Sequence, residues 1–132
     1  MLAGAVFGRG ERDRLLVLNS ITHKSIIERT KELMDAYLGE GVRGVAVDAP
    51  ALFESGFDSE CDVIVCVTAP RELSVQRISE RDGISAEAAG RRIDSQLDEQ
   101  TLVARSDYVI ENDGKHDLYK SAEEIIRKVN AD

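Results

Sequence analysis

Hydrophobic residues recur at helical spacing along the first third of the chain. A short apolar group within residues 11–22 predicts one or two helical turns. A second set predicts a longer helix from about His23 to Leu38, and Thr22 is suited to cap its N-terminus. Gly39 and Gly41 then end the helix, because glycine accepts the backbone conformation of a helix C-terminus.

Three short apolar runs do not alternate with polar residues, which is typical of parallel strands buried on both faces. They predict strands over residues 44–48, 63–67 and 108–110. Ala49-Pro50 stops the first strand, and the turn sequence Asn112-Asp113-Gly114 ends the third.

Helical patterns separate and follow these strands. They predict a helix from Pro70 to about Arg81, a helix over 86–97 capped by Ser85, and a final helix over 116–129. Alternating strands and helices indicate an α/β fold, a parallel sheet flanked by helices. Ligands in such sheets bind beyond the carboxyl ends of the strands.

Length and charge narrow the function classes. The 132 residues suffice for one small domain, and the net charge of −8 disfavours a nucleic-acid partner. Small phosphate ligands remain open, because a few arginines suffice to bind them. No apolar run is long enough for a membrane span, and no secretory signal begins the chain, so we expect no membrane partner. Two cysteines close together in one segment favour a reduced, cytoplasmic protein.

Arginines are the most suggestive candidates for binding chemistry. Arg77 and Arg81 lie four residues apart and share a helix face, and Arg91, Arg92 and Arg105 follow within 30 residues. Guanidinium groups suit phosphate oxygens. A solvated helix face with interleaved acidic residues explains the same spacing, so spacing alone leaves both interpretations open.

Other candidate binding residues can also be explained either by a function or by a structural role. Arg92 and Gln96 share a face of the 86–97 helix, which is typical of a mobile flap or of a plain surface helix. Asp48 ends an apolar strand, as does the aspartate that orients Mg²⁺ in some phosphotransferases, although an aspartate there can simply cap a turn. His23 and His116 have no second His or Cys at ligand spacing, so no metal site is predicted.

The ordered set of segments resembles the dephospho-CoA kinase family, and the resemblance spans nearly the whole chain. The matching segments are Val6-Phe7, Leu18-Asn19-x-Ile21-Thr22-His23, Val47 to Gly56, Asp62 to Val67, Ala69 to Leu73, Gln76-Arg77-Ile78-x-x-Arg81-Asp82-Gly83, Arg92-Ile93-x-x-Gln96 and Asp107-Tyr108-Val109-Ile110-x-Asn112-x-Gly114.

This resemblance implies a P-loop kinase-type fold and ATP-dependent phosphorylation, with Mg²⁺, of the ribose 3′-hydroxyl of dephospho-CoA, the last step of coenzyme A synthesis. It implies that residues 82–106 form a helical lid. It places ATP against Arg77, Arg81, Arg92, Gln96, Arg105, Asn112 and Gly114. It places dephospho-CoA against His23, Asp48, Pro50, Leu52, Phe53 and Glu54.

The chain departs from the family at three places. Lys24 and Ala51 stand where the family usually has proline and leucine, and no Gly-x-x-x-x-Gly-Lys-Ser/Thr loop is present. The resemblance places residue 1 roughly 60 residues into a full-length member. Without the phosphate-binding loop we expect little or no kinase activity from this chain alone.

The missing first strand of the family also affects the sheet. In the family it lies between the strands predicted here at 44–48 and 63–67. Without it, those two strands either pair directly or leave unpaired edges, so we expect a repaired sheet or a homo-oligomer. Two alternatives to a kinase fragment remain. One is a naturally short, non-catalytic module that binds CoA or a nucleotide. The other is a P-loop kinase with a different acceptor, against which the segment Pro50–Gly56 argues.

Overall fold

The structure is a computed structural model that describes residues 11–131, with side chains described from residue 18 onward. The matching residues Val6 and Phe7 lie outside the described part. The chain divides into two compact units, one ending at Cys61 and the other beginning at Asp62.

The first unit contains one long helix, α1 (Glu11–Gly39). The predicted helix start at Thr22 is wrong, because the helix runs through that residue without a break. Residues 11–38 contain no glycine or proline, so nothing in them interrupts the hydrogen-bonding ladder. The predicted end is confirmed: Gly41 takes a φ of +87°, and its N–H donates to the Leu38 carbonyl at 3.1 Å.

The strand predicted over 44–48 is wrong, because these residues adopt no regular secondary structure. A strand needs a neighbour to receive its backbone hydrogen bonds. Among the described residues, the only strand pairing joins two other segments. Residues 44–48 are apolar enough to form a buried strand, but no neighbouring strand in the described part of the chain pairs with them.

Turns and a short 3-10 helix complete the first unit. The turns cover residues 50–56, and the 3-10 helix is Phe57–Glu60. Gly56 has a φ of +77°, a conformation that favours glycine. The Phe57 side chain is buried, and its N–H donates to the Leu52 carbonyl at 3.1 Å. Phe57 thereby anchors the turn segment.

A two-stranded parallel sheet organises the second unit. Its strands are β1 (Val65–Thr68) and β2 (Tyr108–Glu111), with Val65 opposite Tyr108 and Thr68 opposite Glu111. Both strands were predicted, within two residues at each end. Among the described residues the sheet has two strands rather than the three predicted.

Four helices surround the sheet. They are α2 (Arg71–Asp82), α3 (Ala86–Asp94), α4 (Glu99–Ala104) and α5 (Leu118–Ala131). The single helix predicted over 86–97 is wrong, because α3 ends at Asp94 and α4 begins at Glu99. Asp98 caps α4 by accepting from the N–H of Thr101 at 2.9 Å, and this hydrogen bond lowers the pKa of the Asp98 carboxyl.

The loop between α2 and α3 is fixed by two capping residues. Gly83 ends α2 with a φ of +63°, and its N–H donates to the Ser79 carbonyl. Ser85 caps α3 as predicted, since its Oγ accepts from the N–H of Ala88 at 3.1 Å. Ala89 on α3 is fully buried, which makes α3 the best-packed helix of this unit.

The helices cover the sheet unevenly. Lys128 of α5 places its Nζ 5.9 Å from the ring centre of Tyr108 on β2. Val67 on β1 nevertheless remains 61% exposed. The predicted α/β class, a parallel sheet with flanking helices, is confirmed. No helix in residues 11–131 has the length and apolar character that a membrane crossing requires.

Replacing Ser85 with alanine should lower the free energy of unfolding by about 1 kcal/mol, because the Ala88 N–H loses its acceptor. Urea denaturation followed by far-ultraviolet circular dichroism measures this change. Ser85→Asp is the matched control and should keep near-wild-type stability, since its carboxylate also accepts from that N–H. An equal loss for both variants would contradict the capping role.

Candidate functional site

The turn after β2 is held against β1 and α2. The N–H of Asn112 donates to the Thr68 carbonyl at 2.7 Å, which continues the strand pairing by one residue. The Asn112 carbonyl accepts from Nη1 of Arg77 at 2.8 Å. Arg77 is half-buried, so its guanidinium group serves first to fasten α2 to the carboxyl end of the sheet.

The same turn is fastened internally by Asp113. Its carboxylate accepts from the N–H groups of Lys115 and His116, both at 2.9 Å. These backbone hydrogen bonds hold the pKa of the Asp113 carboxyl well below its usual range. Gly114 follows with a φ of +80°, a backbone conformation that favours glycine.

One group of potential metal ligands lies on this turn. Glu111, Asp113 and His116 place one ligand atom each within 4.8 Å of one another. Sequence reasoning searched for His and Cys residues at ligand spacing. It missed this group because two of its three members are carboxylates. All three face solvent to some degree, and His116 Nδ1 already lies 2.8 Å from Asp113 Oδ2.

Two predicted phosphate-binding arginines meet at one carboxylate. Asp82 receives hydrogen bonds from Nε and Nη2 of Arg81, at 2.8 and 3.0 Å. It also receives one from Nη1 of Arg92, at 2.5 Å. These hydrogen bonds lower the pKa of the Asp82 carboxyl, and the contact with Arg81 contributes most. Sequence reasoning placed Asp82 in a segment that matches the family but did not assign it a binding role.

A second ion pair links the same two helices. Nη1 and Nη2 of Arg71 on α2 donate to the two carboxylate oxygens of Asp94 on α3, at 2.7 and 3.1 Å. The Arg71 side chain passes close to α3, since a Cβ atom at Gly90 would lie 3.4 Å from its Nη2, about van der Waals contact. Helices α2 and α3 are therefore joined through Asp82 and through Asp94.

A cavity of about 470 Å³ opens at the carboxyl end of β1. It is lined by residues of β1, α2, α3 and α4, and by Gln96 from the loop between α3 and α4. Cys66 also lines it, and burial raises the pKa of this thiol, which keeps it in its neutral form. Arg105 ends α4 with an exposed side chain, and its N–H donates to the Thr101 carbonyl at 3.1 Å.

The first unit holds a groove of about 680 Å³. Of the six residues predicted to contact the acceptor, His23 and Glu54 line this groove. It is also lined by Lys24 and Lys31, the second of which pairs with Glu60 at 3.2 Å. Sequence reasoning noted Lys24 only as a departure from the family pattern, and it did not identify Lys31.

The other four predicted acceptor contacts lie on the loop segment of this unit. Asp48 and Pro50 are exposed, while Leu52 and Phe53 are half-buried. The Leu52 carbonyl accepts from Phe57 N–H, and the Phe53 carbonyl accepts from Gly56 N–H, both at 3.1 Å. These two residues therefore shape the turn through their backbone.

Comparisons with known proteins identify the family of this chain. The family model described as dephospho-CoA kinase matches residues 1–117. The dephospho-CoA kinase of Syntrophotalea carbinolica is 40% identical over 99 residues, which are 75% of this chain and 47% of that protein. The chain spans about half the length of the curated relatives it matches.

Two solved structures share the fold. Dephospho-CoA kinase from Campylobacter jejuni matches with a TM-score of 0.60 and 29% identity, covering 89% of this chain and 59% of that one. TT1252 from Thermus thermophilus matches with a TM-score of 0.74 and 27% identity, covering 96% and 64%. Since the family model covers most of its length, this chain belongs to the dephospho-CoA kinase family.

Proposed function

We propose that this chain is the acceptor and lid portion of a dephospho-CoA kinase, which phosphorylates the 3′-hydroxyl of dephospho-CoA with ATP. The observation that carries the proposal is the convergence of Arg81 and Arg92 on a single anionic group. Family membership supplies the identity of the two substrates. The proposal concerns the whole kinase, of which these residues supply part of each binding site.

The Asp82 carboxylate stands where a phosphate group of ATP would bind. Arg81 presents two donors in a fixed fork and Arg92 adds one from the next helix, an arrangement that suits the oxygens of an anion. Residues 82–106 include α3 and α4, and we assign them as the lid. Closing the lid would then bring Arg92 onto the transferred phosphate, where positive charge stabilises the transition state.

The remaining nucleotide contacts follow from the turn and the lid. The fixed turn at Asn112 and Gly114 offers a rigid edge for the adenine ring. Arg77 holds that turn in place and also presents positive charge at the carboxyl end of the sheet. Gln96 and Arg105 lie in the proposed lid, at either end of the segment that carries α4.

The groove of the first unit suits the acceptor. Lys24 and Lys31 supply positive charge for the diphosphate of dephospho-CoA, and His23 and Glu54 offer hydrogen-bonding groups beside them. Pro50, Leu52 and Phe53 set the shape of the neighbouring turn. Asp48 offers an exposed carboxylate of the kind that holds Mg²⁺ together with substrate phosphates, and the ion would neutralise developing charge.

The described residues supply binding groups and no phosphate-cradling loop. The sequence contains no Gly-x-x-x-x-Gly-Lys-Ser/Thr motif, whose backbone and lysine hold the β- and γ-phosphates in P-loop enzymes. Since phosphoryl transfer depends on such positioning, this chain alone should bind substrates weakly and transfer no phosphate. Its two cysteines form no disulfide, and we expect the kinase to act in the cytoplasm.

The 132-residue chain should form no coenzyme A from ATP, Mg²⁺ and dephospho-CoA. A fusion that places the N-terminal part of the Syntrophotalea carbinolica kinase before residue 1 should restore the reaction. Coupled detection of ADP and chromatographic detection of coenzyme A measure both results. A folded fusion that turns over nucleoside monophosphates and leaves dephospho-CoA unchanged would contradict the proposed acceptor.

Arg92→Ala in that fusion should lower kcat/KM by about tenfold or more, because a charge-assisted contact to phosphate is lost. Arg29→Ala is the matched control: Arg29 is exposed on α1 and pairs with Glu32, so kcat/KM should stay unchanged. Steady-state kinetics with ATP as the varied substrate measures both variants. Equal effects of the two substitutions would exclude a specific role for Arg92.

We also propose that the 132-residue chain by itself forms homo-oligomers through the free edges of its sheet. Val67 is 61% exposed on β1, beside an edge with no partner strand among residues 11–131. Light scattering after size exclusion should give a mass above that of one chain, and Val67→Lys should shift it towards one chain. Ile126→Lys on α5 is the control and should leave the measured mass unchanged. A wild-type chain with the mass of one chain would contradict the proposal.

A further inference from the structure

Asp82 occupies an unusual position for an acidic residue. It is the last residue of α2, where the partial negative charge of the helix end disfavours a carboxylate. Its side chain is nevertheless only 25% exposed, because the two arginine side chains lie over it at the protein surface. The two arginines that surround it are far more open, at 72% for Arg81 and 56% for Arg92.

The two carboxylate oxygens of Asp82 share three hydrogen bonds, which bring both arginines to the same group. Oδ1 accepts from Nε of Arg81, while Oδ2 accepts from Nη2 of Arg81 and from Nη1 of Arg92. Arg81 is the adjacent residue, and Arg92 lies on the next helix, so the second contact bridges α2 and α3. One carboxylate thus satisfies donors from two elements.

We infer that Asp82 is a positioning residue that serves as an internal substitute for phosphate. It holds Arg81 and Arg92 together in the unliganded protein and must leave them when a polyphosphate binds. This inference rests on the proposed function, because it assumes that the two arginines receive phosphate groups. It adds that Asp82 competes with the ligand and so sets the affinity of the site.

The chemistry of the two anions supports an exchange of this kind. A carboxylate offers two oxygens and one negative charge, whereas a polyphosphate offers more oxygens and more charge to the same donors. The contact with Arg81 is local, between adjacent residues, so forming it again after ligand release requires no large movement. The pair therefore remains ordered in both states, with a different anion between its guanidinium groups.

Asp94 provides a matched comparison within the same two helices. It is the last residue of α3, as Asp82 is of α2, and it also accepts two hydrogen bonds from one arginine, Arg71. Both acids link α2 to α3, and both carry one charge. Asp94 touches neither Arg81 nor Arg92 in these hydrogen bonds, so its removal tests helix tethering and general charge without freeing the arginine pair.

The test uses the 132-residue chain and inorganic tripolyphosphate, with binding measured by isothermal titration calorimetry at fixed ionic strength. Asp82→Asn should raise the affinity about fivefold, as expected for loss of an exposed competing ion pair. Asp94→Asn should leave the affinity within about twofold of wild type. Arg81→Ala and Arg92→Ala should each reduce binding in both the wild-type and the Asp82→Asn backgrounds.

A second measurement needs no substitution, so it holds even where a variant folds poorly. The carboxyl carbon resonance of Asp82, followed by nuclear magnetic resonance in the wild-type chain, should shift during titration with tripolyphosphate. The corresponding resonance of Asp94 should stay in place. This difference reports release of Asp82 from the arginines directly.

The outcomes separate the inference from the function on which it rests. Binding that depends on both arginines but is unchanged or weakened by Asp82→Asn would overturn the competing role of Asp82 alone. A stationary Asp82 resonance at saturation would do the same. Binding that survives loss of either arginine, or no binding by any variant, would overturn both the inference and the assignment of the arginines to phosphate.

Discussion

The parallel pairing of β1 with β2 is the constraint on which the second unit depends. Its ladder extends beyond the strands in both directions, since Asp107 N–H donates to the Ile64 carbonyl and Asn112 N–H to that of Thr68. The Asn112 contact fixes the turn to which Arg77 attaches α2. From α2 the ion pairs of Asp82 and Asp94 reach α3. Hydrogen bonds thus link the sheet to the proposed lid.

Charged groups, rather than a large apolar core, connect the elements around the proposed phosphate site. Among the described residues only Phe57 and Ala89 are buried apolar side chains. Exposed ion pairs contribute little stability each, so helices joined in this way can separate and re-form at small cost. That property suits a lid that exchanges one anion for another. The same scarcity of buried surface explains why apolar residues such as Val67 remain open to solvent.

Sequence reasoning succeeded where the signal was local. Ser85 caps a helix and Gly41 ends one because of their own side-chain and backbone chemistry, so both could be predicted without knowledge of the fold. It failed at Thr22, where a residue suited to capping lies inside an uninterrupted helix. It also failed after Asp94, because an apolar stripe cannot show that Asp98 starts a new helix. Both errors concern helix boundaries, which depend on competition between neighbouring signals.

The sequence by itself determined the α/β class, both strands of the sheet, the family and the arginines that carry the proposed site. These follow from periodicity, composition and the order of motifs, which are properties of the chain. Only the tertiary structure decided that residues 44–48 form no strand, because a strand requires a partner. It alone brought Arg92 to Asp82 from ten residues away, and His23 to the same groove as Glu54. Contacts of this kind depend on the path of the backbone between the elements. The spacing of residues along the sequence does not reveal that path.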